Sequence, residues 1–168
     1  SPYGLEKLTI DHYARLYHDL YDLETVALRY FNVYGPRQTG GDYSGVISVF
    51  LEQARNDQSL TVHGDGTQTR DFVHVSDVVR ANLLAATTEH VGKSLNIGTG
   101  QQTSIQSLAR TVRDLVGTDA DIVHTEPRPG DIDRSRADIS KARSVLGFRP
   151  IVPLEAGLET LMAYRRGE

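Results

Sequence analysis

The sequence predicts a mixed α/β fold in which helices cover a parallel or mixed sheet. Three observations carry that prediction. Short β-branched and aromatic runs alternate with segments whose apolar residues recur every three or four positions. Glycine- and proline-bearing stops such as "NVYGPR" and "GDGTQTR" separate the two kinds of segment. Two of the runs, 25–31 and 94–98, read as strands buried on both faces, as parallel strands are. Such strands need neighbours that this sequence scarcely supplies, so part of the sheet is expected to lie outside it.

Taken in order, residues 4–22 place Leu5, Leu8, Tyr13, Leu16, Tyr17, Leu20 and Tyr21 on one broad apolar helical face. "TVALRYF" is a strand, and "NVYGPR" after it is a loop. Residues 45–57 form a helix. "LTVHG" and "DFVHV" are two short strands joined by "GDGTQTR", a polar stretch suited to a hairpin or a long turn. Residues 77–89 are helical, with Asp77 in the first turn as dipole and capping chemistry. The strand 94–98 follows. Residues 103–117 are a helix with a Thr103/Gln106 capping box and Gly117 as its left-handed stop. A strand at 120–124 leads to a helix opened by Asp138 and ended by Gly147, and a last helix covers 154–165.

Composition narrows the functional classes. The 168 residues, 39% hydrophobic, have room for one core or two sub-domains. With 18 basic and 22 acidic residues, neither sign runs long enough to coat a phosphate backbone or a lipid surface. No nucleic acid and no membrane are therefore expected as partners. There is no cysteine, and the 6 histidines form no metal-ligand spacing, so no metal site is expected. A cytoplasmic location follows from the same features.

The chemistry opens at Tyr3 and Lys7. A phenol ordinarily titrates near pH 10 and becomes an acid or base at neutral pH only beside a cation. A lysine one helical turn away supplies one, although a surface Tyr and Lys meet at this spacing in many helices.

The strings "SPYGLEK", "LRYFNVYGPR", "GDGTQTRDFVHVSDV", "LNIGTG", "EPRPGD" and "DISKARSVLGFRP" occur in that order along the whole chain. Together they resemble the extended short-chain dehydrogenases/reductases, in the nucleotide-sugar epimerase and dehydratase branch. The resemblance implies the C-terminal part of an extended Rossmann-type fold with its smaller substrate-binding sub-domain. Residues 1–35 would end the dinucleotide-binding domain, and 36–168 would be mainly the nucleotide-sugar sub-domain, with 72–100 returning to the Rossmann sheet. The family's glycine-rich diphosphate turn and its catalytic Ser or Thr have no counterpart here. "GDGTQTR" opens no helix and cannot cradle a diphosphate. The NAD cofactor would then be held mostly by an N-terminal half, and this chain alone is expected to be inactive.

The resemblance assigns roles residue by residue. Tyr3 would be the catalytic acid/base and Lys7 its cationic neighbour, with both, and Tyr34, on the cofactor side. Tyr34, with Gly35 and Pro36 beside it, is nevertheless read as structural first. Asn32, Arg70 and Arg128 would contact the substrate diphosphate or sugar, a guanidinium fork suiting phosphate oxygens well. Val46, Thr61 and His63 would meet the uracil, and Asp131 the ribose. Read as residues alone, Arg70 beside Asp71 is equally a local ion pair, and Arg128 between prolines a stiff exposed loop. His63 is equally an ordinary strand histidine, Asp131 a solvated loop carboxylate, and Asn32 a turn residue. "YSGVISVF" favours UDP-hexose 4-epimerisation through a transient 4-keto sugar over a dehydratase or a UDP-glucuronate decarboxylase. A non-catalytic UDP-sugar module, or a subunit pairing with a separate cofactor half, remains open. The 4–22 helix would serve a homodimer interface or that association.

Overall fold

Helix α1 spans Pro2–Tyr21, and the structure, a computed structural model, describes residues 2–38 and 45–166. In chain order there follow β1 (Val26–Tyr30), β2 (Asn32–Tyr34), α2 (Val46–Arg55), β3 (Leu60–His63), β4 (Thr69–Arg70), β5 (Phe72–His74) and α3 (Val75–Ala86). The second half holds β6 (Lys93–Ile97), β7 (Thr103–Ser104), α4 (Ile105–Val116), β8 (Ile122–Thr125), α5 (Ser140–Leu146) and α6 (Leu154–Arg166). No helix among the described residues is long and apolar enough to cross a membrane.

Local chemistry sets the helix limits. In α4 the buried Ile105, Leu108, Ala109 and Val112 fall at helical spacing, and Gly117 ends it with φ 76°. Its N-cap is Ser104, whose hydroxyl accepts from the Ser107 amide at 3.0 Å, one position later than the expected Thr103 box. Helix α5 stops at Gly147, φ 64°, where the Phe148 amide reaches back to Ala142 and the Phe148 ring is fully buried. The N-cap of this helix is Ile139 and not the expected Asp138, whose carboxylate sits one position earlier and accepts from the Ser140 amide at 3.0 Å.

Pairing between strands differs from the local expectation. β1 pairs with β6, β2 with β5 and β3 with β8, all parallel, while β4 and β7 are antiparallel. "LTVHG" and "DFVHV" are therefore no hairpin. Gly64 and Gly66, at φ 74° and 76°, turn the chain out of β3, whose partner arrives from residues 122–125. The stretch after β1 is not all loop either. The Phe31 amide still bonds to Ile97, but the Asn32 amide bonds to Asp71, so the chain changes partner between these two residues.

Two hydrophobic clusters result. One joins α2, α4 and α6 around Phe50, Leu51, Leu60, Leu108, Leu158 and Leu161. The other joins β1 and β6 to α3 and α5 around Val73, Leu95, Ile97, Ala142 and Phe148, so residues 142–148 pack with the sheet and not with α2 and α4. Each fully buried Leu or Phe contributes about 1.5–3 kcal/mol. Helix α1 buries no residue at all. Its anchors on the sheet are polar: Asp11 pairs with Arg29, the Thr25 hydroxyl donates to the Ala14 carbonyl, and His18 lies on Gly92 so tightly that an added Cβ would come within 2.2 Å of the ring. The apolar face built from Leu5, Leu8, Tyr13, Leu16, Tyr17 and Leu20 stays exposed.

Candidate functional site

Tyr3 and Lys7 occupy the first two turns of α1. The helical rise puts the Lys7 ammonium 5.1 Å from the centre of the Tyr3 ring, an attractive cation–π distance. The Tyr3 ring is 69% exposed, so both polar ends are open to a ligand or to further protein.

Tyr34 is a different case. Its side chain is 2% exposed, with its hydroxyl donating to the Leu154 carbonyl at 3.2 Å and its ring edge-on to His74 at 5.4 Å. Gly157 of α6 closes over it, since a Cβ there would lie 2.1 Å from the phenol oxygen. Burial, helped by the Asp77 charge, pushes the phenol far above its ordinary range. The Tyr34 side chain, expected on the cofactor side, is thus a core element that cements α6 to β2.

His74 beside it is buried too. Its Nδ1 accepts from the Ser76 amide as the N-cap of α3, while its Nε2 has no partner among the described residues. Burial lowers its pKa, opposed by the Asp77 carboxylate. The unfolded chain therefore takes up this proton first, near pH 6.5, and stability present above that pH is lost on acidification below it. We predict that thermal unfolding temperature falls more steeply from about pH 7.5 to 5.5 in the parent protein than in His74→Asn, which keeps an N-cap acceptor. Parallel pH slopes would refute this.

The expected base-side residues lie on α2 and β3. Val46 opens α2 half-buried against the first core. Thr61 is taken by Gln53, whose carboxamide accepts from the Thr61 amide at 3.1 Å and donates to its hydroxyl at 3.2 Å. His63 sits half-buried at the end of β3 with Nδ1 3.0 Å from the Thr125 hydroxyl. Parallel pairing sends the Leu60 and Gly64 amides to β8, so the backbone groups of Thr61 and His63 face the opposite edge, where the Thr61 amide donates to Gln53 and the His63 carbonyl accepts from Gln68 at 2.6 Å. Tyr43 and Ser44 of "YSGVISVF" lie outside the described residues.

The charged residues converge on one concavity. His63, Asp65, Gln68, Arg128, Asp131 and Arg134 line a cavity of about 590 Å³ between the end of β3 and the 127–134 segment. Arg70 reaches its rim from β4, donating to the Thr69 and Ile132 carbonyls and pairing with Asp131. It does not pair with Asp71. Three of its five donors are engaged in these contacts. Arg128 is exposed on the loop, with its carbonyl accepting from the Asp131 amide at 3.2 Å. The Thr67 hydroxyl and amide hold the Asp65 carboxyl below its usual range. Asn32 is exposed at the start of β2. Tyr3, Lys7 and Tyr34 line no part of this cavity.

Two acids have structural roles that the sequence reading did not assign, since Asp71 was read as an ion-pair partner of Arg70 and Asp77, which does stand in the first turn of α3, only as dipole and capping chemistry. Asp71 and Asp77 are fully buried, and each accepts backbone amides from distant segments. The available signal was an aspartate set inside an apolar run, in "RDFVHV" and in "VSDVV", since a buried carboxylate must find donors.

Residues 1–98 match the NAD dependent epimerase/dehydratase family. UDP-glucose 4-epimerase of Mycolicibacterium smegmatis is 37% identical over 168 residues, covering 100% of this chain and 54% of that protein. UDP-glucuronic acid decarboxylase 1 of Xenopus tropicalis is 40% identical over 146 residues, 87% of this chain and 34% of that protein. Among solved structures, UDP-glucose 4-epimerase of Thermotoga maritima with UDP-glucose matches with a TM-score of 0.96 at 40% identity, covering 99% of this chain and 54% of that one. The chain spans about half the length of the epimerases it matches. With its family match reaching over more than half of its residues and its parallel-stranded Rossmann-like fold shared with these enzymes, the chain belongs to the NAD-dependent epimerase/dehydratase family.

Proposed function

We propose that the chain is the substrate-binding half of a UDP-sugar 4-epimerase, with Arg70, Arg128 and Asn32 taking the diphosphate and sugar, Val46, Thr61 and His63 the uracil, and Asp131 the ribose. The observation that carries this reading is the convergence of His63, Arg128 and Asp131, with Arg70 on the rim, on one cavity of about 590 Å³. That volume suits a nucleotide-sized ligand. The likeness to the Thermotoga maritima enzyme with UDP-glucose supports the choice of ligand.

Tyr3 and Lys7 supply the acid/base chemistry in this proposal. Tyr3 removes the proton of the sugar 4-hydroxyl and returns it after C4 has inverted, while Lys7 favours the phenolate and holds the cofactor ribose. NAD, when bound, supplies reversible hydride chemistry at C4, which makes the inversion free of net redox change. Residues 1–35 and 72–100 would complete the cofactor-binding domain, and the exposed apolar face of α1 would pack on a second copy or on the cofactor half. The chain without that half would be inactive.

Arg70 gives the direct test. Arg70→Ala is expected to weaken UDP binding by about 2–4 kcal/mol in calorimetric titration, because it removes a guanidinium from the phosphates and leaves Asp131 unpaired against them. An unchanged affinity would remove Arg70 from the site. A second reading, UDP-glucuronate decarboxylation, is favoured by the identity to the Xenopus tropicalis enzyme. Release of CO₂ from UDP-glucuronate by the NAD-loaded enzyme would select it over epimerisation.

A further inference from the structure

The 131–137 arc carries Asp131 and follows directly on Arg128, and its attachment to the sheet is unusual. Residue 69 provides two rungs, the Thr69 amide donating to the Asp133 carbonyl at 2.9 Å and the Ser135 amide to the Thr69 carbonyl at 3.1 Å. The next rung runs through a side chain: the Ala137 amide donates to Asp71 Oδ2 at 3.1 Å. Arg70 lies between the two attachment points and reaches across to Ile132 and Asp131. The same carboxylate accepts the Thr99 amide at 2.8 Å, the Thr99 hydroxyl at 2.6 Å and the Gly100 amide at 2.9 Å. Gly98 lets the segments close in, since a Cβ there would meet Ala137 Cβ at 2.6 Å and Asp71 Oδ2 at 2.9 Å. The Asp71 carbonyl accepts the Asn32 amide at 3.0 Å.

Asp71 is 0% exposed and makes none of the ion pairs of the described residues. A buried carboxylate held by four donors and no cation is a rigid fixture, because each donor it lost would be left unsatisfied. We infer that Asp71 is a positioning residue for the anion-binding end of the site, setting the 128–137 arc and Asn32 in register with Arg70. It cannot touch the ligand itself. This inference rests on the UDP-sugar reading given above.

The test separates the two ends of the ligand. UDP and uridine are titrated into the parent protein, Asp71→Asn, Arg70→Ala and the double variant. The asparagine keeps the shape but turns an NH₂ toward two of the four donors, at least one of them a backbone amide. Expected is a loss of about tenfold or more in UDP affinity in Asp71→Asn, with a clearly smaller loss for uridine, which meets the 128–137 arc only through Asp131. The double variant should bind UDP no worse than Arg70→Ala alone, since both changes disable one unit. Equal losses for UDP and uridine, multiplying losses in the double variant, or a parental UDP affinity in Asp71→Asn would each overturn the inference while leaving the UDP site in place. A parent protein that binds no UDP overturns both. Should Asp71→Asn fail to fold, Thr99→Val, which withdraws one donor and keeps the carboxylate, decides by the same split: a smaller but UDP-selective loss supports positioning, and no selectivity refutes it.

Discussion

Tyr3→Phe is expected to lower turnover of UDP-glucose and UDP-galactose about 10²- to 10⁴-fold in the NAD-loaded enzyme, the range that one positioned acid/base group supplies. The change removes a single oxygen. The Tyr3 ring is 69% exposed and leans on the Lys7 ammonium at 5.1 Å, a contact phenylalanine preserves. Stability and UDP affinity should therefore stay at parental values, and the loss should fall on kcat with little change in KM. A kcat within tenfold of the parent would remove Tyr3 from the proton transfer, and a matching loss of UDP affinity would make its role binding instead. Lys7→Met tests the partner, since it withdraws the cation and keeps the length of the side chain. Its kcat loss should not multiply with that of Tyr3→Phe, because Lys7 is proposed to act on the reaction through the same phenol.

What the sequence made legible was what depends on near neighbours. The helices α4 and α5 announce themselves through apolar spacing and through Gly117 and Gly147, whose left-handed backbone needs no distant partner. Arg70, Arg128, Asp131 and His63 were legible as residue types in fixed strings, and the structure brings them to one cavity rim. Strand partners were not legible in this way. The partner of β3 lies at residues 122–125 and that of β2 at residues 72–74, and no local pattern encodes which of two nearby strands will pair. Tyr34 shows the same limit at a single residue. It stands at the head of "YGPR", where the local string names no packing partner, and its burial is completed by α6, which arrives with Gly157 over the phenol. Asp71 and Asp77 were visible as letters, but their roles come from amides 28 to 75 residues away along the chain.

Asp77→Ala is expected to cost about 3–5 kcal/mol of folding free energy, the range for breaking a buried charged pair from one side. The carboxylate is 0% exposed and accepts the Ile151 amide at 3.0 Å and the Val152 amide at 3.1 Å while pairing with Arg80 at 3.1 Å. Arg80 in turn donates to the Arg149 carbonyl. This cluster straps residues 149–152 to the first turn of α3, where the carboxylate also faces the positive end of the helix. The strap joins Phe148 in one core to Leu158 and Leu161 in the other, so it carries the connection between the two hydrophobic clusters. Alanine would orphan two amides at once, each costing about 1–3 kcal/mol, and take from Arg80 its carboxylate partner. Asp77→Asn keeps one acceptor and should lose roughly half as much. Urea unfolding measures both, provided that the transition remains two-state. Because the strap leads into α6, limited proteolysis of Asp77→Ala should cut first within 149–153, ahead of global unfolding. A stability change under about 1 kcal/mol would show that solvent replaces the carboxylate and that the cores are joined by packing alone.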